Sequence, residues 1–203
     1  MLCPQPGQCG GMNPSTALLV PGGQFLLGEL HAMKIDGVLA PVAGDAFRIA
    51  QGEESAGHRA AALFNQVPAA LAPRAALGQL SAAWVYGCAP PPETVALLVN
   101  PGGRSAALPP FSGCTLRQVR LGPQDVVTIG GVPVTSPLRT ALDVARSAPA
   151  SAARPVLEAM ARTPSLHCPL PRIRMALLAA AHVPGKVRGQ ALVQEMIDGG
   201  PLR

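Results

Sequence analysis

The chain has 203 residues, 48% of them hydrophobic, yet only six are Phe, Trp or Tyr; the core of one ordinary domain or two small ones must be built from Ala, Leu and Val. A formal charge of +5, carried by fourteen Arg and two Lys, permits contact with nucleic acid or another acidic surface without demanding it. Five cysteines at positions 3, 9, 88, 114 and 168 include no close C-x-x-C pair, which indicates neither a disulfide framework nor a zinc site and fits a reduced cytosolic protein.

Residues 1–22 carry too many Pro and Gly to hold a regular element and read as a disordered leader. The apolar run Ala17-Leu18-Leu19-Val20 is cut by Pro21-Gly22-Gly23, far short of the roughly 18 to 20 apolar residues of a membrane helix, and the start lacks the positive region of a secretory signal. A cytoplasmic protein without a membrane partner is the reading. Over 24–34, Phe25, Leu26, Leu27, Leu30 and Met33 predict a short amphipathic helix. Gly37 stops it, and Gly44-Asp45 turns a strand at 38–42 into a second at 46–49 that carries Arg48. Residues 23–50 form one small unit. Only a bend fits between Met33 and Val38.

An acidic linker at 51–56 leads into a helix over 56–66, with Ala60, Ala61, Leu63 and Phe64 buried and His58 and Arg59 at the surface of its first turn. Pro68 ends it. A helix over 77–86 turns Leu80, Ala83, Trp84 and Val85 inward; Trp84 is its core anchor, worth about 2–3 kcal/mol of apolar burial. Gly87 closes that helix, and Pro90-Pro91-Pro92 forces an extended connection. The unbroken apolar run at 94–99 predicts a strand covered on both faces. The turn Pro101-Gly102-Gly103-Arg104 has neither the strand-to-helix context nor the Lys of a phosphate-binding loop. A further strand at 115–121 places Arg117 and Arg120 at polar positions.

The best-specified stretch follows. Val126 to Ile129 and Val132 to Val134 are β-branched runs separated by Gly130-Gly131, the signature of a two-residue hairpin. Ser136 stands where its hydroxyl can cap a helix, and Pro137 takes the first helical position, where a missing N–H costs nothing. Leu138, Ala141, Leu142 and Ala145 form that helix's apolar face, while Arg139 and Asp143, four apart, pair with each other or reach a common partner. Helices over 150–162, with Pro155 in the first turn, over 171–182 and over 186–197 complete the chain. His167-Cys168 lies in a loop, and nothing adjacent supplies the third group an activated thiol needs.

The run from Asp125 through Gly130-Gly131, Thr135-Ser136-Pro137-Leu138-Arg139-Thr140-Ala141-Leu142-Asp143 to Ala145 resembles the signature of AbiEi-type antitoxins and their transcriptional-regulator-like relatives, and Leu80-Ser81-Ala82-Ala83-Trp84-Val85-Tyr86-Gly87 is similar to a second motif of that family. The resemblance covers roughly residues 36 to 197. It implies a winged helix in the N-terminal part, here a degenerate remnant because the recognition helix that reads base edges has no room. It also implies an antitoxin domain after it, in a short form without the endonuclease-like domain of longer relatives. The fold expected is α+β: residues 1–22 as leader, 23–50 as winged-helix remnant, and 51–203 as a mixed α/β domain ending in a helical bundle.

Eleven carboxylates without a paired constellation, and no Ser-His-Asp or metal-ligand spacing, point away from catalysis, so no catalytic residue, metal, cofactor or small-molecule substrate is expected. The function the resemblance implies is regulatory: an antitoxin-like factor that binds DNA as a repressor, or a module that neutralises a nucleotidyltransferase-like toxin without binding DNA. Arg48, Arg104, Arg117, Arg120, Arg172, Arg174, Lys186 and Arg188 are the candidate contacts to phosphate or partner. Trp84, Ser136, Pro137, Arg139 and Asp143 carry the motif, with Arg139 alternatively an internal pin bonded to Asp143 and backbone carbonyls.

Overall fold

A computed structural model of the chain describes residues 18–102, 107–181 and 183–199. It is a mixed α+β structure in which seven α-helices accompany two sheets among the described residues. No described helix is long and apolar enough to cross a membrane.

The N-terminal lobe is helix α1 (Leu27–Ile35) followed by an antiparallel ribbon, β1 (Leu39–Ala43) and β2 (Ala46–Ile49). As the sequence predicts, a helix and a Gly44-Asp45 turn are there, and only a bend separates Ile35 from Leu39. Helix α1 begins later than expected, and Glu29 accepts a hydrogen bond from the Leu26 N–H at 2.7 Å. Its apolar side chains divide: Leu30 is buried with Leu39 and Phe47, whereas Leu26 and Leu27 face water. Residues 1–17 of the expected leader lie outside the described residues. Leu19, assigned to that leader, exchanges two backbone hydrogen bonds with Phe47 at 2.8 and 2.9 Å, so the ribbon gains a third contact there.

Helix α2 (Ala56–Phe64) packs against that ribbon and begins at a capping box. Ser55 Oγ accepts the His58 N–H, and His58 Nδ1 accepts the Ser55 N–H at 3.1 Å. His58 is buried rather than at the surface as expected, because this reciprocal pair folds its ring back over the helix start. Burial pushes its pKa down, nearby Arg48 pushes the same way, and Glu54 opposes. A proton on Nδ1 would also remove the acceptor for Ser55. With the folded value below the unfolded value of about 6.5, this site's stabilisation is complete above about pH 6.5 and is lost as pH falls through the lower folded value. His58→Gln keeps an acceptor in the box without a titrating ring. Urea midpoints measured against pH are expected to fall more steeply below about pH 6.5 in the natural protein than in the variant.

The five-stranded sheet runs β5-β4-β3-β7-β6, and each position follows from local sequence or from its neighbours. Strand β3 (Ala75–Leu77) occupies the end of what the sequence predicts as a connection and the first residue of the helix predicted over 77–86; the helix α3 proper is Gln79–Val85. Three buried residues are too few to show a period, and pairing with the flanking strands decides them: Ala75 opposes Val99 and Leu77 opposes Leu97 in β4, with Val134 of β7 on the other side of Leu77. Strand β3 ends, and Ser81 Oγ takes over as acceptor for the buried Ala96 N–H at 2.9 Å. Strand β4 (Val95–Val99) is buried throughout, as its unbroken apolar run predicts, between β3 and the parallel β5 (Cys114–Gln118). The hairpin of β6 (Val126–Ile129) and β7 (Val132–Thr135) pairs in the predicted register, with Ile129 opposite Val132. Gly130 and Gly131 take φ of +57° and +84°, and a Cβ on Gly130 would lie 2.9 Å from Gly57 Cα, so the hairpin tip sits directly on the start of α2.

Helices α4 (Pro137–Ser147), α5 (Ala150–Arg162), α6 (Leu170–Ala179) and α7 (Lys186–Asp198) share one core with Ala83. Trp84, the next residue along α3, faces the other core beside β4 and β7. It is 5% exposed, the anchor the sequence predicts. Helix α3 is therefore a buried layer between sheet and helices, and all five residues Ser81–Val85 are buried. Pro155 lies in the second turn of α5, not the first; its ring is exposed, which lets the helix continue past it.

Candidate functional site

The turn from β7 into α4 carries a dense set of polar contacts. Ser136 takes the cap position and Pro137 follows it, but the Ser136 hydroxyl makes no cap bond; instead the Ser136 N–H donates to the Asp125 carbonyl at 2.8 Å. The polar support comes from beneath. Thr135 and Thr140 are buried with their hydroxyls 2.7 Å apart, and the Thr135 carbonyl accepts from both Thr140 Oγ1 at 3.0 Å and the Tyr86 hydroxyl at 2.7 Å. Burial drives the Tyr86 pKa well above its ordinary value, keeping the hydroxyl a donor. The buried side of α4 thus includes Thr140, Asp143 and Val144 beside Ala141 and Ala145, whereas Leu138 and Leu142, expected inward, are half-buried against the helical core.

Above that junction four charges alternate. Arg139 Nη1 bonds Asp125 Oδ2 at 2.8 Å and the Arg120 carbonyl at 3.1 Å, while its Nε bonds Asp143 Oδ2 at 2.8 Å. The other oxygen of Asp143 takes Arg146 Nη2, and Arg146 Nε also reaches the Leu142 carbonyl at 3.2 Å. The Asp143 side chain is 5% exposed and that of Arg139 11%, so this row ties the loop before β6 to the body of α4. Of the two roles open to Arg139, the geometry is the internal pin. Arg146 was missed in the sequence, although its position three residues past Asp143 on the same helix signals the third partner.

The cations nominated as contacts divide into two groups. Arg48 folds back so that Nη1 donates to the Ile49 carbonyl at 2.9 Å and the Ala50 carbonyl at 3.3 Å. Arg172 donates to the His167 carbonyl at 2.7 Å, Lys186 Nζ to those of Leu178 and Ala180 at 2.9 and 2.6 Å, and Arg188 Nη2 to that of Ala148. These side chains satisfy carbonyls at helix and strand ends. The side chains of Arg117, Arg120 and Arg174 are exposed and make no hydrogen bond or ion pair among the described residues. Arg104 lies outside the described residues.

Among the described residues, Arg117 and Arg120 line different hollows. Arg117 edges a hollow of about 720 Å³ walled by Leu80, Pro91 and Pro155, Arg120 borders one of about 580 Å³ beside Arg146 and Leu177, and Arg174 borders neither. His167 and Cys168 also part company: His167 is exposed with φ of +51°, while Cys168 is buried in the helical core, where desolvation raises the thiol pKa.

The chain matches no family model, and no curated protein matches it. Trp84 is buried in the sheet-side core and Asp143 sits at the centre of the charge row.

Proposed function

We propose that the chain is a non-enzymatic, antitoxin-like regulatory protein that acts by binding a protein partner, a nucleotidyltransferase-like toxin, rather than by reading DNA. One contrast carries this reading: four of the seven described side chains nominated for phosphate are bonded to the protein's own carbonyls, while large apolar side chains turn outward. Arg48, Arg172, Lys186 and Arg188 are engaged with backbone carbonyls, and Arg139 is held between two carboxylates. Leu26, Leu27, Ile35, Val38 and Ile49 on the N-terminal lobe, and Met175, Leu178 and Val187 on α6 and α7, are exposed. Clustered apolar exposure is characteristic of surfaces that meet another protein. The bend in place of a second helix before β1 supports the same choice, since a winged helix reads the major groove through that element.

Co-expression from a foreign promoter with a nucleotidyltransferase-like protein encoded beside it tests the proposal. The expected result is restored growth and a complex that survives size-exclusion chromatography. A chain that restores growth only from its own promoter, or that forms no complex, contradicts it.

A further inference from the structure

The strongest unassigned surface is the outer side of α6 and the start of α7. From residue 159 to residue 194 the sequence contains no Asp or Glu, but contains Arg162, Arg172, Arg174, Lys186 and Arg188. On the same elements Met175 is 61% exposed, Leu178 47% and Val187 79%. Met175 and Leu178 are three apart on α6 and so share a face. Lys186 Nζ reaches the Leu178 and Ala180 carbonyls at 2.9 and 2.6 Å, so α7 begins within reach of the C-terminal end of α6. Arg174 stands four residues before Leu178 on the same stripe, its guanidinium free of internal partners among the described residues. The result is an exposed apolar pair on α6, with a third exposed apolar residue at the start of α7, within a carboxylate-free, positively charged stretch of sequence.

Resting on the protein-partner reading above, we infer that this exposed apolar group on α6 and α7 is the docking surface and that its occupant is an acidic amphipathic helix of the partner protein. Met175 and Leu178, one turn apart on α6, suit the apolar stripe of a helix laid along them, and Asp or Glu flanking that stripe complements the cationic surround. A polyanion fits less well. Three exposed apolar side chains gain nothing from phosphate, but gain dehydration from an apolar stripe.

The probe is a fluorescein-labelled synthetic helix of about five turns, with Leu on one face and Glu on the other. It is compared with a scrambled peptide of the same composition, with a Lys-for-Glu version, and with vesicles of equal parts phosphatidylglycerol and phosphatidylcholine. Expected are saturable binding of the acidic helix alone, a loss of at least about tenfold in affinity for the pair Met175→Asp with Leu178→Asp, and a smaller, salt-sensitive loss for Arg174→Glu. The control Ile35→Asp on the N-terminal lobe should bind as the natural chain does. Equal binding by the paired variant, or binding to the vesicles in preference to the acidic helix, overturns the assignment. The same variants are then placed in the toxin complex. A complex that survives Met175→Asp with Leu178→Asp overturns the surface but leaves the protein-partner reading standing, whereas the absence of any complex with the natural chain overturns that reading itself.

Discussion

Asp143→Ala is expected to destabilise the fold by about 3–5 kcal/mol, the range for breaking a buried ion pair from one side. Both carboxylate oxygens are used, one by Arg139 at 2.8 Å and the other by Arg146, and the side chain is 5% exposed. Removing it leaves Arg139 with Asp125 and the Arg120 carbonyl, and Arg146 with the Leu142 carbonyl, each guanidinium short of an anion in a place water barely reaches. Asp143→Asn should be nearly as damaging, since an amide presents N–H groups to one of two donors. Asp125→Ala should cost about 1 kcal/mol or less, because a third of that side chain is solvated and its pair is screened. Urea midpoints of the three variants check the order. A double-mutant cycle between positions 139 and 143 should return a coupling of about 0.5–3 kcal/mol. Equal, small losses at 125 and 143 would mean that the row is a surface decoration.

Gly185→Ala should cost about 3 kcal/mol or more, lowering Tm by roughly 6–12 °C at about 2–4 °C per kcal/mol for a chain of this size. Gly185 caps the start of α7 with φ of +77°, and a Cβ there would stand 2.4 Å from the Arg146 carbonyl oxygen. That oxygen is backbone in the last turn of α4, so no rotamer change relieves the overlap; α7 has to lift away and loosen Leu192, Val193 and Met196 from the shared core. Gly189→Ala, one turn on, is the control. Its Cβ would meet the Ala145 carbonyl at 3.3 Å, an overlap relieved by a shift of only about a few tenths of an ångström, and Ala gains up to about 1 kcal/mol of helix propensity over Gly. Thermal melts of the pair are expected to differ by several degrees, and equal Tm values would show that α7 is not seated on α4 as described.

The elements most legible in the sequence are those whose chemistry is local. Gly130-Gly131 between β-branched runs announces the hairpin, Ser136-Pro137 the start of α4, and the apolar run at 95–99 a strand buried on both faces. What escaped is decided by partners far away in sequence. Strand β3 exists because β4 and β7 flank it, and nothing within Ala75–Leu77 distinguishes it from a connection running into a helix. His58 is buried because Ser55 draws its ring inward, and Leu26 is exposed although it sits in an apolar run. The charge row shows the same division. Arg139 and Asp143 are visible at helical spacing, but Asp125 joins them only once the hairpin folds back, and the Arg120 carbonyl only once the loop after β5 returns to α4. A list of basic residues likewise cannot show which of them cap carbonyls; that requires the helix ends to which Lys186 and Arg188 reach.

The bonding of these cations to the protein's own carbonyls, on which the protein-partner reading depends, is tested most directly by the salt dependence of binding to a random DNA duplex, since the slope counts simultaneous phosphate contacts at about 0.9 per contact. With Arg117, Arg120 and Arg174 as the described nominated cations left free, and Arg117 and Arg120 on separate hollows, the expected result is binding weaker than about 10⁻⁴ M at physiological salt and a slope no steeper than about −1 to −2. A slope of about −5 or steeper would require Arg48, Arg172, Lys186 and Arg188 to leave their carbonyls for phosphate, and would contradict that reading.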